Sequence, residues 1–280
     1  MKKIIWISSY PKSGNTFLRI LLSSYFFSSS GIFEQKLLGK IPEFSKDFMN
    51  FERDNDPSKE ILKWNQIQEN IPTMTGNYNF LKTHIANIKI KNEIFSINSK
   101  ITLGAIYIVR DPRNVVLSIK DHFQVSENES LKFLINKDNC LCTRNNNLSK
   151  GYVPILDWES NFLSWENDKR FKTLLIRYED LILNTEEILL KILKFIKNYI
   201  KFNLDEKKII NVINSTKFNK LKKLEKEQGF IEKNSMSIQN NIKPFFNKGV
   251  KRNFKEELSD NIINIIEKKY SNTMLKLGYK

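Results

Sequence analysis

Residues 4–17 read Ile4-Ile5-Trp6-Ile7-Ser8-Ser9-Tyr10-Pro11-Lys12-Ser13-Gly14-Asn15-Thr16-Phe17, and this stretch decides the fold. The apolar run Ile4 to Ile7 predicts a strand buried on both faces. Pro11 and Gly14 mark a short turn, and the apolar pattern beyond it predicts a helix from Asn15 or Thr16 to Phe27. A loop of small residues between a buried strand and a helix N-terminus aims backbone N–H groups and the helix dipole at one place, which makes an anion site. The plainer alternative is an ordinary helix cap beside a surface lysine. The loop is not a Walker A sequence. Aligning Gly14-Asn15-Thr16 on Gly-Lys-Thr puts Ser9 at the first glycine and Asn15 at the lysine. The lysine stands inside the loop instead, at Lys12, where it can reach a phosphate or a bridging oxygen.

Outward from this stretch, strand-like and helix-like segments alternate. Asn79–Thr83, Leu103–Val109 and Thr173–Arg177 predict further strands. After Val109, Asp111 can cap a helix and Pro112 can occupy its first turn, with Val115, Val116 and Ile119 on one face. Residues 28–78 and 124–150 carry loop-like clusters, among them Asp54-Asn55-Asp56-Pro57-Ser58 and Ser126-Glu127-Asn128-Glu129. From Glu186 onward the chain reads as helical, interrupted by a polar segment from Gln228 to Pro244. No repeat or linker divides it. The expectation is a single α/β domain over residues 1–280, with a central mostly parallel sheet flanked by helices and a P-loop-like nucleotide-binding fold.

Composition bounds the partners. The 280 residues hold 46 Lys+Arg against 31 Asp+Glu, a net charge of +15 that asks for an anionic partner. Of those cations 38 are Lys and 8 are Arg, in a chain also rich in Asn and Ile. A-T-rich codons produce that bias unaided, so the total charge is weak support for a nucleic acid. With 40% hydrophobic residues the chain is not a disordered basic tail. Two His and two Cys exclude a zinc scaffold and a disulfide framework, and Cys140-Leu141-Cys142 reads as two loop thiols in a reducing compartment. The run Ile4–Ile7 is too short for a signal-peptide core. The stretch Phe17–Phe27 carries Arg19 and two serines and falls short of the ~20 residues of a membrane span. The expectation is a cytoplasmic chain with no membrane segment.

Tyr10-Pro11-Lys12-Ser13-Gly14-Asn15-Thr16-Phe17 resembles the 5′-phosphosulfate loop of the cytosolic-type sulfotransferases, usually Tyr-Pro-Lys-Ser-Gly-Thr-Thr-Trp. Four further segments match in the family's order. Leu81-Lys82-Thr83-His84 resembles its Lys-Thr-His element, and Tyr107 to Ser118, through Arg110-Asp111-Pro112-Arg113, resembles the strand-loop-helix that grips a 3′-phosphate. Arg177-Tyr178-Glu179-Asp180-Leu181 is similar to its Tyr-Glu-Asp segment, and Phe246-Asn247-Lys248-Gly249 to its late Arg-Lys-Gly loop. The resemblance runs from residue 4 to about 255, nearly the whole chain.

The resemblance implies transfer of a sulfuryl group from 3′-phosphoadenosine 5′-phosphosulfate (PAPS) to a hydroxyl or amine of a small-molecule acceptor, with PAP as product, no metal and no nucleic-acid partner. It places the base at His84, whose unperturbed pKa of about 6.5 suits proton transfer. Lys82, two residues earlier on an extended strand, points the same way, and Lys12 faces the leaving oxygen. Lys12, Ser13, Gly14, Asn15, Thr16 and Phe17 take the 5′ end of the donor. Arg110, Ser118, Lys248 and Gly249 take the 3′-phosphate, and Phe17, Tyr178, Thr216 and Phe218 border the adenine. The other histidine, His122, reads as helix surface or core. A nucleotide-dependent kinase is the alternative on this fold, but Asn15 stands where its lysine belongs. Secretory carbohydrate sulfotransferases are a nearer rival, separated by their anchor and glutamate base. Three departures stand out: Asn15 for Thr in the loop, Asn247 for the Arg before Lys-Gly, and Arg252-Asn253-Phe254 for the usual Gly-Asp-Trp. Acceptor choice falls to residues 28–78, 124–150 and 228–244, and the oligomeric state is left open.

Overall fold

The computed structural model describes residues 3–49, 57–73, 76–90, 94–145, 148–232, 244–246 and 253–280. In chain order the first half runs β1 (Ile4–Ser9), α1 (Asn15–Phe27), a 3₁₀ turn (Gln35–Lys40), α2 (Phe44–Asp47), α3 (Pro57–Asn70), β2 (Asn79–Thr83), β3 (Lys89–Ile90), β4 (Ile94–Phe95), β5 (Thr102–Val109), α4 (Pro112–Phe123) and α5 (Glu127–Ile135). Then come β6 (Cys140–Asn145), β7 (Leu148–Pro154), α6 (Trp158–Glu166), β8 (Thr173–Arg177), α7 (Tyr178–Leu183), α8 (Thr185–Lys197), α9 (Glu206–Ser215), α10 (Phe218–Gln228), α11 (Phe254–Glu257), α12 (Asp260–Lys269) and α13 (Ser271–Lys276).

The four strands expected from apolar runs form one parallel sheet in the order β2-β1-β5-β8. Every β1 residue is buried, as a central parallel strand covered on both faces requires. Alternation divides it between two cores. Ile4 and Trp6 join Leu81, Ala105, Tyr107 and Val109 on one face, against Trp64 of α3, Val115 and Val116 of α4 and Trp165 of α6. Ile5 and Ile7 join Phe80, Ile106 and Ile108 on the other, against Leu18, Leu21 and Leu22 of α1 and Ile192 of α8. Each fully buried isoleucine of this kind stabilises the fold by roughly 1.5–3 kcal/mol. The expected α/β layering is therefore what is seen.

Two segments read as loop are structured. Ser126-Glu127-Asn128-Glu129 opens α5: the Ser126 hydroxyl accepts from the Glu129 amide at 3.2 Å, and the Glu129 carboxylate accepts from the Ser126 amide at 2.9 Å. This reciprocal cap is what a polar cluster before an apolar run encodes. Cys140–Asn145 and Leu148–Pro154 pair as an antiparallel hairpin, where the sequence suggested loop. Residues 28–78, weakest in pattern, supply the 3₁₀ turn, α2 and α3. The expected cap at Asp111 is present, its carboxylate accepting from the Arg113 amide at 2.9 Å, with Pro112 in the first turn.

Gly14 is the hinge between β1 and α1. It has φ 101°, and a Cβ there would lie 2.2 Å from Cδ2 of Tyr178, so both backbone and space demand glycine. Gly14→Ala is expected to lower the unfolding free energy by about 2 kcal/mol or more. Gly39→Ala, whose Cβ meets open space, should change it by less than about 0.5 kcal/mol. Urea melts followed by tryptophan fluorescence separate the two.

Candidate functional site

Parallel pairing delivers the carboxyl ends of β2, β1 and β5 to one edge of the sheet. Ile7 lies opposite Lys82 and Ser8 opposite Thr83, while Ser9 lies opposite Ile108. Beyond those positions come the loop 10–14 from β1, His84 from β2 and Arg110 from β5. In open α/β sheets this is the edge where ligands gather.

The loop is held from both sides. Lys12 adopts a left-handed conformation at φ 67°, unusual for a residue with a side chain. Its carbonyl accepts from Arg110 Nη1 at 3.0 Å. The Arg110 guanidinium lies 4.4 Å from the ring centroid of Tyr178, the residue that packs over Gly14. Asn15 Nδ2 donates to the Ile7 carbonyl at 3.0 Å and to Ser9 Oγ at 3.2 Å. The Asn15 amide therefore braces the loop against β1 and does not extend its N–H groups into the loop mouth. Asp111, next to Arg110 in the sequence, pairs with Arg113 at 2.6 Å. Ser13 Oγ and Arg110 Nε are buried without a hydrogen-bond partner. Glu179, from the Tyr-Glu-Asp segment, fixes the end of β5 by accepting from the Asp111 amide at 3.1 Å and from Tyr279 Oη at 2.9 Å.

His84 joins this loop directly. Its Nδ1 lies 2.7 Å from the Ser9 carbonyl and 3.3 Å from Ser9 Oγ. A carbonyl can only accept, so the proton sits on Nδ1 and Nε2 carries the lone pair. The backbone of His84 is anchored in turn by Asn161, whose Nδ2 donates to the His84 carbonyl at 3.0 Å. Burial pushes the imidazole down to about 4, and Lys82 and Lys12 push the same way against Glu43 and the Ser9 carbonyl. At neutral pH His84 is therefore uncharged. Lys12 is pushed down to about 8, first by burial and then by the charges of Lys82 and Arg110, while Glu232 and Asp121 oppose the shift.

The structure adds Glu43, Glu232 and Arg19, which sequence reading missed, and brings His122 into the same field. Glu43, just before α2, binds Lys82 Nζ at 2.9 Å. Glu232 accepts from Thr16 Oγ1 at 2.6 Å and pairs with the buried Arg19 of α1. Burial alone would raise the Glu232 carboxyl, but Arg19, Lys82 and Thr16 hold it below its ordinary value. His122, expected on a surface or in the core, is half-buried on α4 and is pushed down to about 4 by burial and then by Lys12 and Lys82. It therefore belongs to the same electrostatic cluster. Its one sequence signal is its place at the end of the helix that follows Arg110.

The remaining candidates are spread around this centre. Ser118 is half-buried on α4. Phe17 is half-buried, and Phe218 is 37% exposed with its ring edge-on to Phe246 at 6.3 Å. Phe245 reaches the loop, with Lys12 Nζ 5.7 Å from its ring centroid. Thr216 is buried, and its hydroxyl donates to the Val212 carbonyl at 2.8 Å, where it ends α9. Lys248 and Gly249, with Asn247, Lys251 and Arg252, lie outside the described residues. Among the described residues no group of three or more His, Cys, Asp or Glu could hold a metal ion, and no helix is long and apolar enough to cross a membrane.

A mouse sulfotransferase, SULT7A1, complexed with PAP, superposes with a TM-score of 0.56 at 20% identity, covering 98% of this chain and 84% of that one. A retinol dehydratase in complex with retinol and PAP gives a TM-score of 0.59 at 14% identity, covering 98% of this chain and 82% of that one. These likenesses concern the fold. No curated protein matches the chain in sequence. The family model described as "Sulfotransferase domain" matches residues 2–278, and with that match across nearly its whole length the chain belongs to the sulfotransferase domain family.

Proposed function

We propose that this sulfotransferase takes its sulfuryl group from PAPS and places it on a hydroxyl or amine of a small-molecule acceptor by in-line displacement, in a cytoplasmic setting. The observation that carries the reading is the junction of His84 with the phosphate loop, Nδ1 against the Ser9 carbonyl at 2.7 Å. It sets a neutral imidazole with a fixed tautomer in the field of the half-buried Lys12. PAP in both solved relatives, and retinol in one of them, support a 3′-phosphorylated nucleotide and a small acceptor here. A cysteine count of two suits a reducing compartment. Neither the family match nor the solved relatives favour a kinase.

The residues fit the donor. Ser13 Oγ and Arg110 Nε are buried polar atoms that lack partners, and phosphate oxygens would satisfy both. Lys12, Ser13, Gly14, Asn15 and Thr16 form the 5′ side of the site through the loop and the N-terminus of α1. Arg110 and Ser118 form the 3′ side, to which the family resemblance adds Lys248 and Gly249, outside the described residues. Phe17, Tyr178 and Phe218 offer aromatic faces to the base. When bound, the donor supplies a sulfuryl group whose bridging oxygen leaves with the 5′-phosphate. His84 Nε2 receives the acceptor proton, while Lys12 and Lys82 set positive charge against the negative charge that develops in transfer.

Two measurements follow. Lys12 loses its charge as pH rises through about 8. Affinity for adenosine 3′,5′-bisphosphate should therefore be constant below that point and fall by up to about tenfold per pH unit above it. Calorimetric titrations from about pH 6.5 to about pH 9.5, with Lys12→Met as the pH-insensitive control, check this. In the second, a metabolite extract is incubated with enzyme and PAPS and searched by mass spectrometry for a gain of one sulfuryl group. His84→Ala should slow that gain at least about a hundredfold while binding the bisphosphate as the wild type does. A wild-type rate in the folded variant overturns the reading.

A further inference from the structure

Between the end of the 3₁₀ turn and α2, the tripeptide Pro42-Glu43-Phe44 runs alongside β2 as if it were an added strand. Glu43 forms a parallel bridge to Lys82, and the Lys82 amide donates to the Pro42 carbonyl at 2.9 Å. The Glu43 amide in turn donates to Asp47 Oδ2 at 2.7 Å. The backbone on both sides of the pair is thereby fixed before the side chains meet. The carboxylate then takes Lys82 Nζ at 2.9 Å, with both side chains largely shielded, at 20% and 12% exposure.

An ion pair so shielded contributes little net stability, because desolvation of both charges offsets most of their attraction. Its value has to be sought in what surrounds it. Four charged or titratable groups face this corner from three elements: Lys12 from the loop after β1, Lys82 and His84 from β2 and its end, and Arg19 from α1, which acts on Glu43. His122 on α4 and Glu232 after α10 sense the same lysines. Any proton arriving on His84 meets the positive charge of Lys82 and Lys12, and the strongest influence opposing them on the imidazole is the Glu43 carboxylate.

We propose that Glu43 is a positioning residue for sulfuryl transfer: its carboxylate holds the Lys82 ammonium beside His84 and offsets the lysine charge that opposes proton uptake there. The inference rests on the assignment of His84 as base. Burial alone would raise the Glu43 carboxyl, yet Lys82, His84 and Arg19 hold it down at about 2. The counter-charge is thus present at every pH at which the enzyme works. Removing it makes His84 a weaker base, which keeps its lone pair to lower pH but takes the acceptor proton less readily.

Glu43→Gln is the test, with Glu43→Asp as the charge-retaining companion. The chain has only two histidines, so the imidazole NMR signals are assigned by comparison with His84→Ala and titrated directly. In Glu43→Gln the His84 titration should move to lower pH and kcat should fall about tenfold or more. Bisphosphate affinity should hold or tighten, since Lys82 is released toward an anion. Glu43→Asp should recover part of kcat. Wild-type kcat with an unmoved His84 titration in Glu43→Gln overturns the proposal, and so does a loss of bisphosphate affinity in parallel with activity, which marks a purely structural contact. If Glu43→Gln does not fold, Glu43→Asp decides: an unmoved titration and full kcat on lengthening the Lys82 contact overturn it. Failure of the base assignment shows separately, as a wild-type rate in His84→Ala.

Discussion

The position of β1 between β2 and β5 is the constraint on which the site depends. All three strands run parallel, so their carboxyl ends, and the chemistry that follows each, meet at one edge. The register matters as much as the order. Ile7 opposite Lys82 and Ser8 opposite Thr83 leave His84 level with Ser9, where its ring can meet the Ser9 carbonyl. A slip of one residue would turn every side chain of β2 to the other face of the sheet. Phe80 would leave one core, Leu81 the other, and Lys82 would lose Glu43. The apolar alternation that places Ile5 and Ile7 against α1 therefore also aims the polar ends.

Once those ends meet, electrostatics decides how they behave. Lys12, Lys82, Arg110 and Arg19 are gathered around a loop already biased toward anions by the N-terminus of α1. Glu43 and Glu232 are drawn into the same corner, each held ionised by the cations although burial would favour its neutral form. The net charge of +15 has little to do with this. Lysines on solvated helices such as α10 are screened from the site by water and salt, whereas the few buried cations act through a low local dielectric. Position therefore outweighs number.

This separates what was legible in the sequence from what was not. The buried strands could be read, because a parallel sheet demands short continuous apolar runs and these residues supply them. The helix after Asp111-Pro112 could be read because its cap is local. So could the cap of α5, but a cluster of Ser, Glu and Asn also suits a loop, and periodicity over nine residues did not settle the choice. Glu43 and Glu232 left no local trace. They reach Lys82 and Thr16 across 39 and 216 residues of chain, through contacts that exist only after β2 and α10 have docked. The field around His122 left no local trace either: its helix was predicted correctly, but its nearness to Lys12 and Lys82 is fixed by packing.

The two histidines show why proximity alone does not name a base. Both sit in the field of Lys12 and Lys82, and both are pushed down to about 4, so both are neutral at physiological pH. What differs is the scaffold. His84 has Nδ1 fixed on the Ser9 carbonyl, a backbone anchored by Asn161, and a carboxylate, Glu43, among the groups acting on its charge. On His122 the largest influences are burial and then the charges of Lys12 and Lys82, all of which push it down. A base must hold one tautomer and tolerate the proton it takes. His84 holds one tautomer through the Ser9 carbonyl, and the carboxylate that opposes the lysine charge on it lies outside the Lys-Thr-His segment, in the turn that Pro42-Glu43-Phe44 lays along β2.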